Sequence, residues 1–162
     1  MMSSPLITVL LWVAALGSGL MAGVYFAFSG FIMQALGKIE TTQSIAAMNA
    51  INETILRSWF MPVFFGSSIV SVLLVIVALS NWSAAGSGLT LIAGAVYFVG
   101  MFICTIAFNV PLNNMLAQSE ETGARAQQDW SRYLKTWTRW NHLRTVSSLV
   151  TCALGVWLLS AQ

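Results

Sequence analysis

Four stretches of the chain are apolar at nearly every position, and two longer polar stretches separate them. Leu6 to Met33, Phe60 to Ser80, Gly88 to Phe108 and His142 to Leu159 are the apolar ones. Each is close to the roughly 20 residues that a helix needs to cross a ~30 Å hydrocarbon core. The first would rise about 42 Å as a helix, so it must tilt or emerge at one end. Along it Ala15, Gly19, Gly23 and Ala27 recur every four residues, a seam on which another helix can sit closely. Tyr25, Phe26, Phe28, Ser29, Phe31 and Gln34 gather at its far end, as a pocket wall or as an interfacial belt.

The first polar stretch, Gln34 to Ser58, carries Ile45, Met48, Ile51, Ile55 and Trp59 at helical spacing. This predicts a short amphipathic helix leading straight into the second span. Asn49, Asn52 and Glu53 share one flank of it, and Glu53 and Arg57 stand at i and i+4 in the favourable order. Asn81 to Ser87 is a short uncharged turn. The second polar stretch, Asn109 to Asn141, opens on Asn-Val-Pro-Leu-Asn-Asn. Pro111 has no amide hydrogen and disfavours helix before it, which predicts an end or a kink there. Helix is expected to resume from about Glu121. From Trp130 a single stripe advances through Leu134, Trp137, Asn141, Arg144 and Ser148. It begins aromatic and ends polar, at the entrance to the last apolar span. Lys135 and Arg139 fall on other faces, and Trp140 and Arg144 are spaced for a cation–π contact.

Composition turns these segments into a class. Charged residues make up 7% of the chain, against about 25% in a soluble domain. No charge occurs from Met1 to Gly37, from Ser58 to Ser119, or from Thr145 to Gln162. The fold expected is all-α: a single integral-membrane domain, an antiparallel four-helix bundle with amphipathic cytoplasmic extensions and spans at about 6–33, 60–80, 88–108 and 142–159. The N-terminal span has no basic n-region and continues past any cleavage point, which favours a retained helix over a signal peptide. All seven Lys and Arg lie in the two polar stretches or just inside the last span. The positive-inside rule then places those stretches in the cytoplasm and both termini outside, in an inner or plasma membrane. Basic residues beside apolar spans point to lipid headgroups rather than nucleic acid. Cys104 and Cys152 should differ by about 10 Å in depth, too far for a disulfide.

The segment from Trp130 to Thr145 holds three of seven tryptophans, four of seven basic residues and the single histidine, His142. One histidine excludes a two-histidine metal site or a bis-histidine haem within the chain. The acids Glu40, Glu53, Glu120, Glu121 and Asp129 are not placed to hold a metal ion. His142 is the one group suited to general-base work near neutral pH, toward an acidic C–H or a phenol. Arg144, Asn141 and the amides of Asn109, Asn113, Asn49 and Asn52 are candidates to hold a developing oxyanion. Trp137 and Trp140, with Phe26 and Ser29 from the first span, are candidates to flank a flat aromatic ligand.

Four stretches carry a resemblance: Gly23 to Leu36, Met48 to Asn52, Phe108 to Asn114, and Trp137-Thr-Arg-Trp-Asn-His-Leu-Arg-Thr145. They resemble the anthrone oxygenase-like family of small four-helix membrane proteins, with the Trp-Asn-His-x-Arg element the most specific part. The resemblance implies oxidation of an anthrone to an anthraquinone by O2 with no added cofactor. On that basis His142 would take the proton, while Asn141, Arg144, Asn109 and Asn113 would hold the oxygens. Two rival readings stay open. One is a haem- or quinone-binding protein with His142 as axial ligand. The other is a non-enzymatic subunit or small-molecule binder docking a partner through its tryptophans. Homo-oligomerisation through the glycine seam is a further expectation.

Overall fold

The computed structural model describes residues 4–119 and 122–162. Glu120 and Glu121, including the expected restart of helix near Glu121, lie outside them. The described residues form five helices and no strand: α1 (Pro5–Leu36), α2 (Thr41–Ile55), α3 (Phe60–Ser80), α4 (Ser87–Ala117) and α5 (Gly123–Ser160). α1, α3, α4 and α5 are long and apolar enough to span a bilayer, as expected of an integral membrane protein.

Local chemistry sets the helix ends. Ser4 caps α1, its hydroxyl accepting from the Ile7 amide at 3.3 Å, with Pro5 in the first turn. The Glu40 carboxylate accepts from the Thr42 and Gln43 amides and starts α2. Gly86 (φ 92°) and Gly123 (φ 94°) supply the left-handed backbone from which α4 and α5 begin.

The four spans pack in a ring, with α1 against α3 and α5, and α4 against α3 and α5. Their outer faces carry Leu16, Leu20, Ile69, Ile76, Ile92 and Val146, all more than 45% exposed. Their inner faces carry buried Ser18, Ser68, Ser71, Ser148 and Thr151. An arrangement with large apolar residues outward and small polar ones inward suits lipid as solvent, where close backbone approach drives association. Part of the α1 seam is used within the chain. An added Cβ on Gly155 would lie 3.1 Å from that of Ala15, and one on Gly19 would lie 3.3 Å from the Cys152 sulfur. Nothing lies near Gly23. Both cysteines are free thiols, as their spacing predicted.

The polar stretches differ from expectation in three ways. α4 does not stop at Pro111. Wide π-turns over Phe98–Ile103 and Thr105–Asn109 end just before it, and the α-helical turn restarts at Val110. Proline then occupies a first-turn position, where its missing N–H does no harm. The stretch 109–141 is accordingly mostly helix. α5 runs for 38 residues without a break, about 57 Å, far beyond the bilayer core. α2 does not lead straight into α3 either. It ends at Ile55, residues 56–59 turn, and Trp59 stands 87% exposed rather than on the apolar face with Ile45 and Met48. α1 is also longer than its apolar run, with a π-turn over Phe28–Ile32 before its last turn.

Candidate functional site

The stripe on α5 faces inward as its spacing requires. Trp130, Trp137, Asn141, Arg144 and Ser148 are buried and Leu134 is half-buried. Lys135 and Arg139 point out. At the centre is Arg144, 5% exposed. Its Nη2 donates to Asn141 Oδ1 at 2.7 Å and its Nη1 to Thr105 Oγ1 at 3.4 Å. The guanidinium carbon lies 4.3 Å from the Tyr25 ring centroid and 4.9 Å from that of Trp137. This double aromatic contact replaces the expected one with Trp140, which instead stacks on Phe108 at 3.8 Å. Nε is buried and has no partner.

Among the described residues no carboxylate pairs with Arg144; the ion pair present is the exposed Glu53–Arg57 contact at 3.8 Å. A buried charge is normally paired. Here neutral oxygens and aromatic faces hold it instead.

The supporting shell is polar and specific. Asn141 Nδ2 donates to the Tyr25 carbonyl and to Ser29 Oγ, both at 2.7 Å. This leaves Asn141 Oδ1 for the guanidinium. Asn109 Nδ2 donates to the Trp137 carbonyl at 3.3 Å. Asn113 Oδ1 accepts from Tyr133 OH at 2.8 Å and from Trp137 Nε1 at 2.9 Å. These bonds fix the Trp137 indole, with Phe28 tilted on it at 5.6 Å.

Beside this shell lies a cavity of about 600 Å³, within the usual range for small-molecule sites. Tyr25 and Phe28 of α1, Phe60 and Phe64 of α3, Thr105 and Ile106 of α4, and Trp137 and Arg144 of α5 line it. α2 closes its outer end with Met48, Asn49, Asn52 and Glu53.

The structure therefore sorts the expected residues into three groups. Asn49, Asn52, Asn113, Trp137 and Arg144 line the cavity. Asn141, Asn109 and Ser29 stand behind it and orient those that do. His142, Trp140 and Phe26 are not among its lining residues. His142 is exposed and Phe26 is 61% exposed, each one residue on from an inward-facing neighbour, Asn141 or Tyr25. One residue on a helix is a rotation of about 100°. His142 is thus turned away from the lining of this cavity. Among the described residues no group of three or more His, Cys, Asp and Glu could hold a metal ion. Tyr25 and Phe28, of the aromatic cluster at the far end of α1, do form a pocket wall. Thr105, Phe60 and Phe64 were not expected at the site, and a four-residue polar period, Thr105, Asn109 and Asn113, was the available signal for the first of these.

The family model described as anthrone oxygenase matches residues 56–154, more than half of the chain. The Phe108–Asn114 and Trp137–Thr145 stretches fall inside that match, while the α1 and α2 stretches lie before it. No curated protein and no solved structure matches the chain.

Proposed function

The chain belongs to the anthrone oxygenase family, and on that premise we propose that it oxidises a planar, hydrophobic polycyclic phenol or anthrone with O2, holding the substrate as an anion at Arg144. The observation that carries this reading is a buried guanidinium with no carboxylate partner, facing an aromatic cavity. Such a site favours a ligand that brings one delocalised negative charge and a flat apolar body.

An anthrone meets both needs. Its methylene C–H lies between two rings and opposite a carbonyl, so loss of the proton leaves charge on that carbonyl oxygen. A fixed cation in a low-dielectric site favours the anion over the neutral form. The proton leaves to water at the cavity mouth, where Glu53 is the carboxylate among the described lining residues. The anion gives an electron to O2, the radical pair joins as a C–O bond, and the resulting hydroperoxide loses water. Overall CH2 and O2 become C=O and H2O. The substrate supplies all four electrons, so no outside reductant is consumed.

The arrangement of charge supports cytoplasmic placement of the α2 end, with both termini on the other side of the membrane. That puts the cavity mouth at the headgroup layer, within reach of a substrate dissolved in lipid.

The test is oxygen uptake and quinone absorbance with an anthrone, using wild type and Arg144→Gln in detergent or nanodiscs. Matched uptake and quinone formation that the variant lacks supports the reading. Stoichiometric binding without oxygen uptake would recast the protein as a binder.

A further inference from the structure

The cavity is not walled on every side. α3 packs on α4 over Ser87–Ile103, whereas Thr105–Ala117 packs on α5 and α2 instead. The π-turns over Phe98–Ile103 and Thr105–Asn109 lie between these two halves of α4 and re-aim the second. The parting continues the cavity mouth inward as a slit between α3 and the second half of α4. Phe65 on one lip, and Ile106 and Val110 on the other, line the cavity and are nevertheless 48%, 49% and 41% exposed. Tyr25, Phe64 and Trp137 line the same cavity and are buried. The exposure of the lips is therefore on their outer side. Phe102 closes the inner end of the slit, its ring 6.3 Å from that of Phe65 and 5.4 Å from that of Phe64.

Depth decides what the slit opens onto. The exposed Trp59 stands just before α3, where an indole suits the membrane–water interface. Phe65 is six residues further along, about 9 Å deeper. On the antiparallel α4, Ile106 is the deepest of a row that continues outward through Val110 and Asn114. Neither lip carries a charge, since none occurs from Ser58 to Ser119. The lining turns polar at its shallow end, with Asn114 of α4 and Glu53 of α2.

We propose that the cavity exchanges its ligand with the hydrocarbon of the leaflet on the α2 side, through the slit between Phe65 and the Ile106–Val110 row, and not with the aqueous phase. The partner of the slit is an acyl chain, which fills it until a flat apolar ligand takes its place. The hydrophobic effect concentrates a polycycle in that phase, so a door there meets it where it is most abundant. This rests on the reading of the cavity as the seat of a flat apolar ligand, and not on its oxidation.

The test follows binding rather than turnover, with anthraquinone as the probe and the protein in phosphatidylcholine nanodiscs. Stopped-flow quenching of tryptophan fluorescence gives the rate of entry, and mixing with excess empty vesicles gives the rate of exit. Ile106→Phe/Val110→Phe narrows the slit and adds only apolar bulk to a lipid-facing lip. Entry and exit are both expected to slow by about tenfold, with Kd within about twofold of wild type, because a door changes rates and leaves the end states alone. Should that variant misfold, Phe65→Ala on the opposite lip is expected to speed both rates, and unchanged rates would overturn the door. Asn114→Phe crowds the shallow polar end instead. If it slows exchange and the deep pair does not, entry is from water and the proposal falls. Loss of affinity through faster exit alone would make Ile106 and Val110 holding residues, which also overturns it. Wild type that fails to bind anthraquinone removes the cavity reading and the door together. Slowed exchange in the deep pair, with no oxygen uptake from an anthrone in wild type, keeps the door and removes only the oxidation.

Discussion

The two ends of the helix ring obey different packing rules. At the end holding the termini, Ile7, Leu10, Leu11, Ala14, Leu74 and Leu158 make a continuous apolar core. The pocket there is about 210 Å³. Backbones approach closely below it, Gly94 so tightly on the Ser71 carbonyl that an added Cβ would sit 2.5 Å away. At the basic end the helices are interrupted by π-turns, the core is aromatic, and a cavity of about 600 Å³ remains open. One end holds the spans together by contact. The other gives up contact for a hollow lined with asparagine, tryptophan and one arginine. A site this loose depends on the tight end to stay in register.

The largest expected effect tests the open end. Arg144→Gln removes the charge while keeping a polar side chain. Turnover of an anthrone should fall by about 10²–10³, the usual loss for one donor to a developing oxyanion. The rate of quinone formation checks it, and a loss under about threefold would detach catalysis from the guanidinium.

Next comes the tight end. Gly94→Ala forces a methyl against the Ser71 backbone, which has no side-chain freedom with which to yield. Overpacking of this kind costs about 1–3 kcal/mol, so thermal unfolding in detergent should begin at a lower temperature, with the remaining folded protein still active. An unchanged melting curve would mean the contact is slacker than the geometry says.

A smaller effect is expected from Asn113→Leu, which strands the Tyr133 hydroxyl and the Trp137 indole N–H. Leaving buried donors unpaired costs about 1–3 kcal/mol each when water cannot enter. The variant should stay folded and bind substrate more weakly, with blue-shifted tryptophan emission if the indole loses its polar partner.

The smallest is His142→Ala. The side chain is exposed and outside the cavity lining, so turnover should stay within about twofold of wild type. A collapse in turnover with binding intact would restore the histidine as the base.

How far the sequence could carry these points depends on whether they are local. The four spans were legible because long charge-free runs have one stable outcome in lipid. The α5 stripe was legible because Trp137, Asn141 and Arg144 sit on one face of any helix, whatever surrounds it. The partners of Arg144 were not, since Tyr25 and Thr105 meet it only through packing of three helices. Chemical type drew attention to His142, yet the helix turns it away from the face of Asn141. Pro111 reads as a helix breaker in isolation, yet α4 continues through it. Its place at the start of a new turn depended on the π-turns before it, which leave no mark in an apolar run.

Those π-turns have a genetic meaning. Each is in effect one residue more than a regular helix needs. Over Thr105–Asn109 that residue sets the angle between the half of α4 carrying Thr105 and the half carrying Asn113. Deleting a single codon there would close the wide turn and leave Pro111 inside a continuous helix, where it has no N–H to donate. It would also rotate Asn113 by about 100° relative to Thr105, away from Trp137. The cavity wall is thus one codon from a different lining.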